Sequence, residues 1–264
     1  MLNEESIGLP KKQKQALSWI AIVLVNIWVP LLMIIETVIG IAIFPLLLVI
    51  WLPATRWPLG KIIRHFIWMY GRVWLWIISP FVRLKVSWSK PKQEKHPYIY
   101  VANHLSFFDI FFMSVAPVFD VIICLRSWPF KMVWYAPFMR MAQYIDVESL
   151  SWEEIVEKMS RIFDKGGSVL LFPQGHRSRN GQLTRFYSGA FKLAVHFKIP
   201  IVPICITGTD QMLPPGRRWM APADVHIECL EPIDPKTYKK DTGYIELKKR
   251  VRRMMEVCLA ENQL

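Results

Sequence analysis

The run Tyr98 to Ile110 reads "YIYVANHLSFFDI". Its first five residues are apolar and rich in β-formers, which predicts a short buried strand. Asn103 and His104 then break the pattern, and Asp109 follows five residues after the histidine. Burying a charge is costly unless it is paired. Five residues is close to one and a half helical turns, so a straight helix would point the two side chains apart. They meet only if the chain bends, with His104 in a loop and Asp109 on a helix start. From this string alone two readings stand. One is a satisfied structural pair. The other is a base with its orienter, in which a carboxylate on one imidazole nitrogen leaves the second free to take a proton from an alcohol.

Further along, "LLFPQGHRSRNG" (170–181) shows the same order of strand, then loop. A buried apolar run enters Pro173, then Gly175, His176, Arg177 and Arg179, and Gly181 closes the loop. Glycine lets backbone approach a ligand closely, and arginines bind phosphate in fork geometry. Strand-end loops are where α/β sheets hold ligands. Other strands are predicted at 120–125, 168–172, 201–206 and 224–230. Between them lie helical patterns. One starts at Ser151 with a capping box (Ser151, Glu154) and stops at Gly166-Gly167. A second covers 188–197, and a third runs from about Tyr244 to Leu259. The third carries Leu247, Val251, Met254, Met255 and Cys258 on one face and Lys248, Lys249, Arg252 and Arg253 on the other. Apolar strands alternating with helices predict an α/β domain, a central sheet flanked by helices.

The whole chain has 264 residues, 53% of them apolar, 12 tryptophans and a formal net charge of +12. A basic, Trp-rich chain meets either nucleic acid or an anionic membrane. The N-terminal part favours lipid and argues against nucleic acid. From Ala16 to Pro53 there is no Lys, Arg or Asp, and Glu36 is the only acid. The stretch is long for one span and short for two, with Pro30, Gly40 and Pro45 inside it. Lys11, Lys12 and Lys14 precede it, and Arg56, Lys61 and Arg64 follow. Positive flanks on both ends favour a membrane helical hairpin that enters and leaves by the cytoplasmic face; one long tilted span is the alternative. Residues 61 to 100 hold eight basic side chains against Glu94. This stretch reads either as an interfacial helix on anionic lipid or as a core helix with a charged face. "KPKQEKHP" (90–97) reads as a linker. The predicted divisions are a membrane-embedded segment (1–60), a basic aromatic interfacial region and linker (61–95), and the α/β domain (96–264).

The four cysteines show no metal spacing and read as reduced, buried thiols, and no metal site is expected. His65, His96, His196 and His226 read as ordinary core or surface residues. A serine hydrolase would need GxSxG; "FYSGA" around Ser188 lacks the first glycine, and Ser106 has no elbow context.

The order NHxxxxD, then FPxGxRS, then a strand with "VPI" resembles the lysophospholipid acyltransferase family, the group that acylates lysophosphatidic acid. The resemblance covers roughly residues 96 to 235. "SWPFKMVWYAPFMRMAQYIDVE" (127–148) aligns with the family's second motif, with Lys131 and Pro137 in the expected places, and "IPIVPICITGTDQMLPPG" (199–216) looks like the fourth. The resemblance implies a glycerolipid-acyltransferase-like domain and transfer of a fatty acyl chain without a covalent intermediate. His104 is implied as the base and Asp109 as its orienter. Asn103, Lys131, Gln174, Gly175, His176, Arg177, Ser178 and Arg179 are implied as substrate-binding. The acyl donor is acyl-CoA or acyl carrier protein as co-substrate, with no cofactor, and the acceptor is a membrane lyso-lipid. The sequence departs from the pattern at Gln174, where the family usually has Glu, at His176 in place of Thr, and at Val147 in place of Arg. The changes leave the His–Asp pair intact and bear on the acceptor: 1-acyl-glycerol-3-phosphate first, another lyso-lipid such as a lyso-amino-acid lipid second. Arg126, Arg140 and Arg179 are the candidates to replace the missing arginine. A domain that binds lipid without turnover is the non-enzymatic alternative.

Overall fold

The computed structural model describes residues 11–88, 97–133, 135–239 and 241–262, with side chains from residue 18 onward. Seven strands form one sheet in the order β1-β7-β6-β2-β5-β3-β4. They are β1 (Val82–Trp88), β2 (Ile99–Ala102), β3 (Val121–Leu125), β4 (Ile145–Asp146), β5 (Ser168–Leu171), β6 (Ile201–Thr207) and β7 (Ala223–Cys229). All neighbours are parallel except β6 and β7. The central trio β5-β2-β6 is parallel throughout, so its three carboxyl ends emerge side by side. β2, with every residue buried, reads as the continuous apolar run that a strand covered on both faces requires.

Alternation along β2 sorts the core into two layers. Tyr100 and Ala102 face a cluster with Trp74, Phe108, Phe111 and Phe112. Ile99 and Val101 face the opposite cluster with Met159, Phe191, Leu247, Val251 and Met255. The second layer is covered by α5 (Trp152–Phe163), α6 (Gly189–Phe197) and α8 (Gly243–Glu261). The capping box at Ser151 forms in full, with Glu154 N–H on the Ser151 hydroxyl and Ser151 N–H on the Glu154 carboxylate. The short helices α3 (Asp109–Phe112), α4 (Ala136–Met141) and α7 (Thr209–Met212) lie in the connections.

The first layer is covered by α1 (Lys11–Thr55) and α2 (Leu59–Ile78). The expected hairpin inside residues 16–53 is not what forms. One helix runs unbroken through Pro30 and Pro45. Gly40 is the only glycine between Ala16 and Pro53, and no polar turn residues surround it. Leaving helix there would strip backbone groups of partners along an apolar surface. The chain turns instead at residues 56–58, where Arg56 takes a left-handed φ of 55° and Trp57 N–H donates to the Thr55 hydroxyl at 3.2 Å. α2 then returns antiparallel along α1. Trp28 Nε1 donates to Ile77 O at 3.2 Å, Thr37 bonds the Tyr70 hydroxyl at 2.9 Å, and Trp51 stacks on His65.

α2 buries Ile62, Ile63, Trp74, Ile77 and Ile78 and exposes Leu59, Met69, Val73 and Trp76. It is a packed helix with an exposed apolar edge. Arg64, expected as a membrane-flanking cation, is buried and paired with Asp120 at 2.6 Å, with a further bond to Ala142 O. β1, which the sequence reading placed in the basic stretch, pairs with β7 over its full length. The expected linker at 90–97 lies outside the described residues except for Pro97.

Candidate active site

β2 delivers its last residue to the carboxyl edge of the sheet, and the chain bends there. His104 sits in the loop and Asp109 is the first residue of α3. The bend is anchored by Leu105 and Phe108, which are buried, and by Trp74 stacked on Phe108 at 5.0 Å between centroids. It brings His104 Nδ1 to 2.7 Å from Asp109 Oδ2.

The protonation pattern follows from the partners. Asp109 is 0% exposed, and its Oδ2 also accepts from the N–H groups of Leu105 (2.6 Å) and Ser106 (2.9 Å). Its Oδ1 accepts from the Thr209 hydroxyl at 2.6 Å. Backbone N–H groups only donate, so Oδ2 is an acceptor toward all its partners. His104 Nδ1 therefore donates to Asp109, and Nε2 is the ring nitrogen left outside that bond. The imidazole lies 4.5 Å from the ring of Phe172, and its side chain is 23% exposed. An imidazole held through one nitrogen with the other open is the geometry that proton removal from an alcohol needs.

The loop after β5 runs beside it because β5 and β2 are neighbours. Gln174 is fully buried; its Oε1 accepts from His104 N–H at 3.0 Å and its Nε2 donates to the Thr184 hydroxyl at 3.0 Å. Ser178 N–H donates to His104 O at 2.7 Å, and the Ser178 hydroxyl donates to Asn180. Gly175 has φ of +70°, and a Cβ there would meet the Tyr187 ring at 2.8 Å. His176, Arg177 and Arg179 are exposed. Neither arginine has an ion-pair partner among the described residues.

Three residues expected to bind substrate, Asn103, Gln174 and Ser178, are engaged within the chain. Both amide atoms of Asn103 are engaged by Ile206, Nδ2 to its carbonyl at 2.8 Å and Oδ1 from its N–H at 2.7 Å. Asn103 thus continues the β2–β6 pairing for one more residue with a side chain. Gln174 and Ser178 are buried and brace the backbone of His104. Lys131 ends a 3-10 turn (Trp128–Lys131), exposed, with Trp128 against Phe107. Arg126 pairs with Glu148 at 2.6 Å, and among the described residues Arg140 reaches only the Phe130 carbonyl. The Ser127 N–H and the Arg126 guanidinium hold the Glu148 carboxyl below its usual range. Burial pushes Asp146 upward, but bonds from Ser127, Glu148 N–H and Ser149 outweigh it and hold that carboxyl low. Of the three candidate replacements for the missing arginine, Arg179 is the one left on the loop beside His104.

Sequence reading missed Thr209 and Thr184. Thr209 follows Gly208, whose φ of +83° turns the chain at the carboxyl end of β6; a Cβ at Gly208 would fall 1.8 Å from Asp224 O. The signal was a Gly-Thr pair closing an apolar strand. Its meaning depended on β6 lying next to β2. The Ser106 hydroxyl donates to Leu213 O, and that of Ser188 accepts from Lys248.

Residues 83–207 match the family model described as Acyltransferase. A 1-acyl-sn-glycerol-3-phosphate acyltransferase of Escherichia coli (strain K12) is 30% identical over 205 residues, covering 73% of this chain and 78% of that protein. One of Limnanthes douglasii is 28% identical over 232 residues, covering 84% of this chain and 78% of that protein. The crystal structure of the 1-acyl-sn-glycerophosphate (LPA) acyltransferase PlsC from Thermotoga maritima shares the fold, with a TM-score of 0.70 at 22% identity, covering 88% of this chain and 95% of that one.

Proposed function

This chain belongs to the acyltransferase family, and we propose that it transfers a fatty acyl group from acyl-CoA or acyl carrier protein to the free hydroxyl of 1-acyl-glycerol-3-phosphate, forming phosphatidic acid at a membrane. The observation that carries the reading is the His104–Asp109 pair, with Nδ1 held at 2.7 Å and Nε2 open. His104 Nε2 takes the proton of the acceptor hydroxyl as its oxygen attacks the thioester carbonyl. The tetrahedral intermediate collapses, the C–S bond breaks, and the imidazolium returns the proton to the departing thiolate. Asp109 holds the ring and stabilises the imidazolium, so no covalent enzyme intermediate is required. Arg177, Arg179 and Lys131 supply exposed cations for the acceptor phosphate.

The Asp146-Val147 pair favours a second reading, an acceptor other than lysophosphatidic acid. Val147 stands where the family pattern has Arg, and Arg126 is engaged by Glu148, so fewer cations face a phosphate than that pattern supplies. A lyso-amino-acid lipid suits that reduced set. Membrane attachment through α1 accompanies either reading: Ser18–Thr55 is 38 residues of apolar helix. At ~1.5 Å per residue it is about 57 Å long, nearly twice a ~30 Å hydrocarbon core, so it lies tilted or along the bilayer. We read the domain as lying on the cytoplasmic face, a reading that the basic residues Arg56 and Lys61 after α1 support.

The test is acyl transfer by the detergent-purified protein, with acyl-CoA and acyl carrier protein donors against a panel of lyso-lipids, read by mass spectrometry beside His104→Ala. Transfer that falls by about 100-fold or more in the variant is the expected result for loss of a general base. No transfer to any acceptor, or equal activity in the variant, overturns the assignment.

A further inference from the structure

The segment joining α7 to β7, "LPPGRRWMAP" (213–222), makes contacts that neither the dyad nor the sheet explains. Asn26, the only asparagine in the apolar stretch of α1, bonds it twice: Nδ2 donates to Met220 O and Oδ1 accepts from Met220 N–H, each at 2.8 Å. Val25 and Val29 beside it are fully buried in the cluster that contains Met212 and Met220. The loop is therefore fixed against the helix whose outer face, at Trp19, Val23 and Ile27, is exposed.

The loop is also stiff. Pro214 and Pro215 precede Gly216, whose φ is +91°. Arg217 turns inward, its guanidinium donating to the carbonyls of Gln211, Met212 and Trp219. Ala221 N–H closes back on Met212 O at 2.9 Å. What the bracing leaves outside is Arg218 and Trp219, the latter 56% exposed. A tryptophan held outward beside a cation, next to an exposed apolar helix, fits the boundary between acyl chains and anionic headgroups. The chain's net charge of +12 has the matching sign.

We propose that the α7–β7 loop is a second membrane contact, in which Trp219 inserts at the acyl–headgroup boundary and Arg218 meets the phosphates of an anionic bilayer. This rests on the membrane attachment of α1 proposed above. The loop begins at α7, whose Thr209 bonds Asp109, and its Leu213 carbonyl accepts the Ser106 hydroxyl. The lipid surface would thus be held beside the loop that carries the base.

The experiment uses the full chain in vesicles of phosphatidylglycerol and phosphatidylcholine. Single introduced thiols at Trp219→Cys, Ile27→Cys and Val257→Cys are labelled with an environment-sensitive fluorophore. Val257 is exposed on α8, on the opposite side of the sheet. Quenching of the Trp219→Cys and Ile27→Cys labels by doxyl lipids, with Val257→Cys quenched only by aqueous iodide, is the expected result. Arg218→Glu added to Trp219→Cys should reduce lipid quenching in phosphatidylglycerol vesicles and leave it unchanged in pure phosphatidylcholine. If Ile27→Cys is quenched by lipid while Trp219→Cys answers only to iodide, the loop contact is wrong and α1 attachment stands. If both answer only to iodide, both proposals fall.

Discussion

The Thr209 hydroxyl donates to Asp109 Oδ1 at 2.6 Å across a hundred residues of sequence. It is the only bond on that oxygen among the described residues, while Oδ2 has three partners. Removing it lets the carboxylate rotate without emptying the site. A hydrogen bond to a charged group contributes about 1.5–3 kcal/mol, so Thr209→Val should lower kcat by roughly 10- to 100-fold. KM should hold steady and Thr209→Ser should restore the rate. Steady-state kinetics on the three proteins checks this; a Thr209→Val enzyme with wild-type kcat removes Thr209 from the positioning of Asp109.

Gln174 joins the backbone of His104 to Thr184 from a fully buried position. Gln174→Leu keeps much of the volume and leaves the His104 N–H without a partner. Stranding a buried donor costs about 1–3 kcal/mol. Thermal unfolding should show the loss, and turnover should fall with it because the stranded group belongs to the base's own backbone.

At Gly175 two effects separate. The φ of +70° disfavours any Cβ, and the Tyr187 ring stands 2.8 Å from where one would be. Gly175→Ala should destabilise the loop, the left-handed backbone alone costing about 1–2 kcal/mol. Adding Tyr187→Ala should recover only the steric share. Full recovery in the double variant would show that backbone conformation contributes nothing there.

All four cysteines are buried, and burial pushes the Cys124 and Cys229 thiols up to about 12. The thiolate is the reactive form, so both should resist alkylation by iodoacetamide at pH 8 and begin to react only as pH approaches 12 or the chain unfolds. Mass spectrometry of native and denaturant-treated protein reads this directly; rapid native labelling at Cys124 would contradict its placement between the sheet and α5.

The dyad and the five principal strands were legible because each rests on local signals: apolar runs, a bend that two charges demand, a capping box at Ser151. The supports of the dyad were not, since they depend on which strands become neighbours. Asn103 looks like a ligand beside His104 until β6 lies alongside β2 and its amide finds Ile206. Thr209 acquires its meaning through the same adjacency. The turn between α1 and α2 was misplaced because Gly40 and the two prolines resemble breaks, whereas an apolar environment holds the helix together through them. β1 carries the polar–apolar alternation of an edge strand at Arg83 and Lys85, but it was hidden inside a basic, Trp-rich stretch whose overall composition suits a helix.

α1 is not a detachable tether. Val25 and Val29 fill the first core layer, Asn26 fastens the α7–β7 loop, and the Trp74 indole N–H meets the Met33 sulfur. Cutting the chain before α2 to obtain a water-soluble fragment would uncover Met212 and Met220 and release the segment that steadies Asp109. Biochemistry on this enzyme is therefore best carried out on the entire polypeptide in detergent or lipid, and inactivity of a trimmed version would speak of a broken core rather than of a lost anchor.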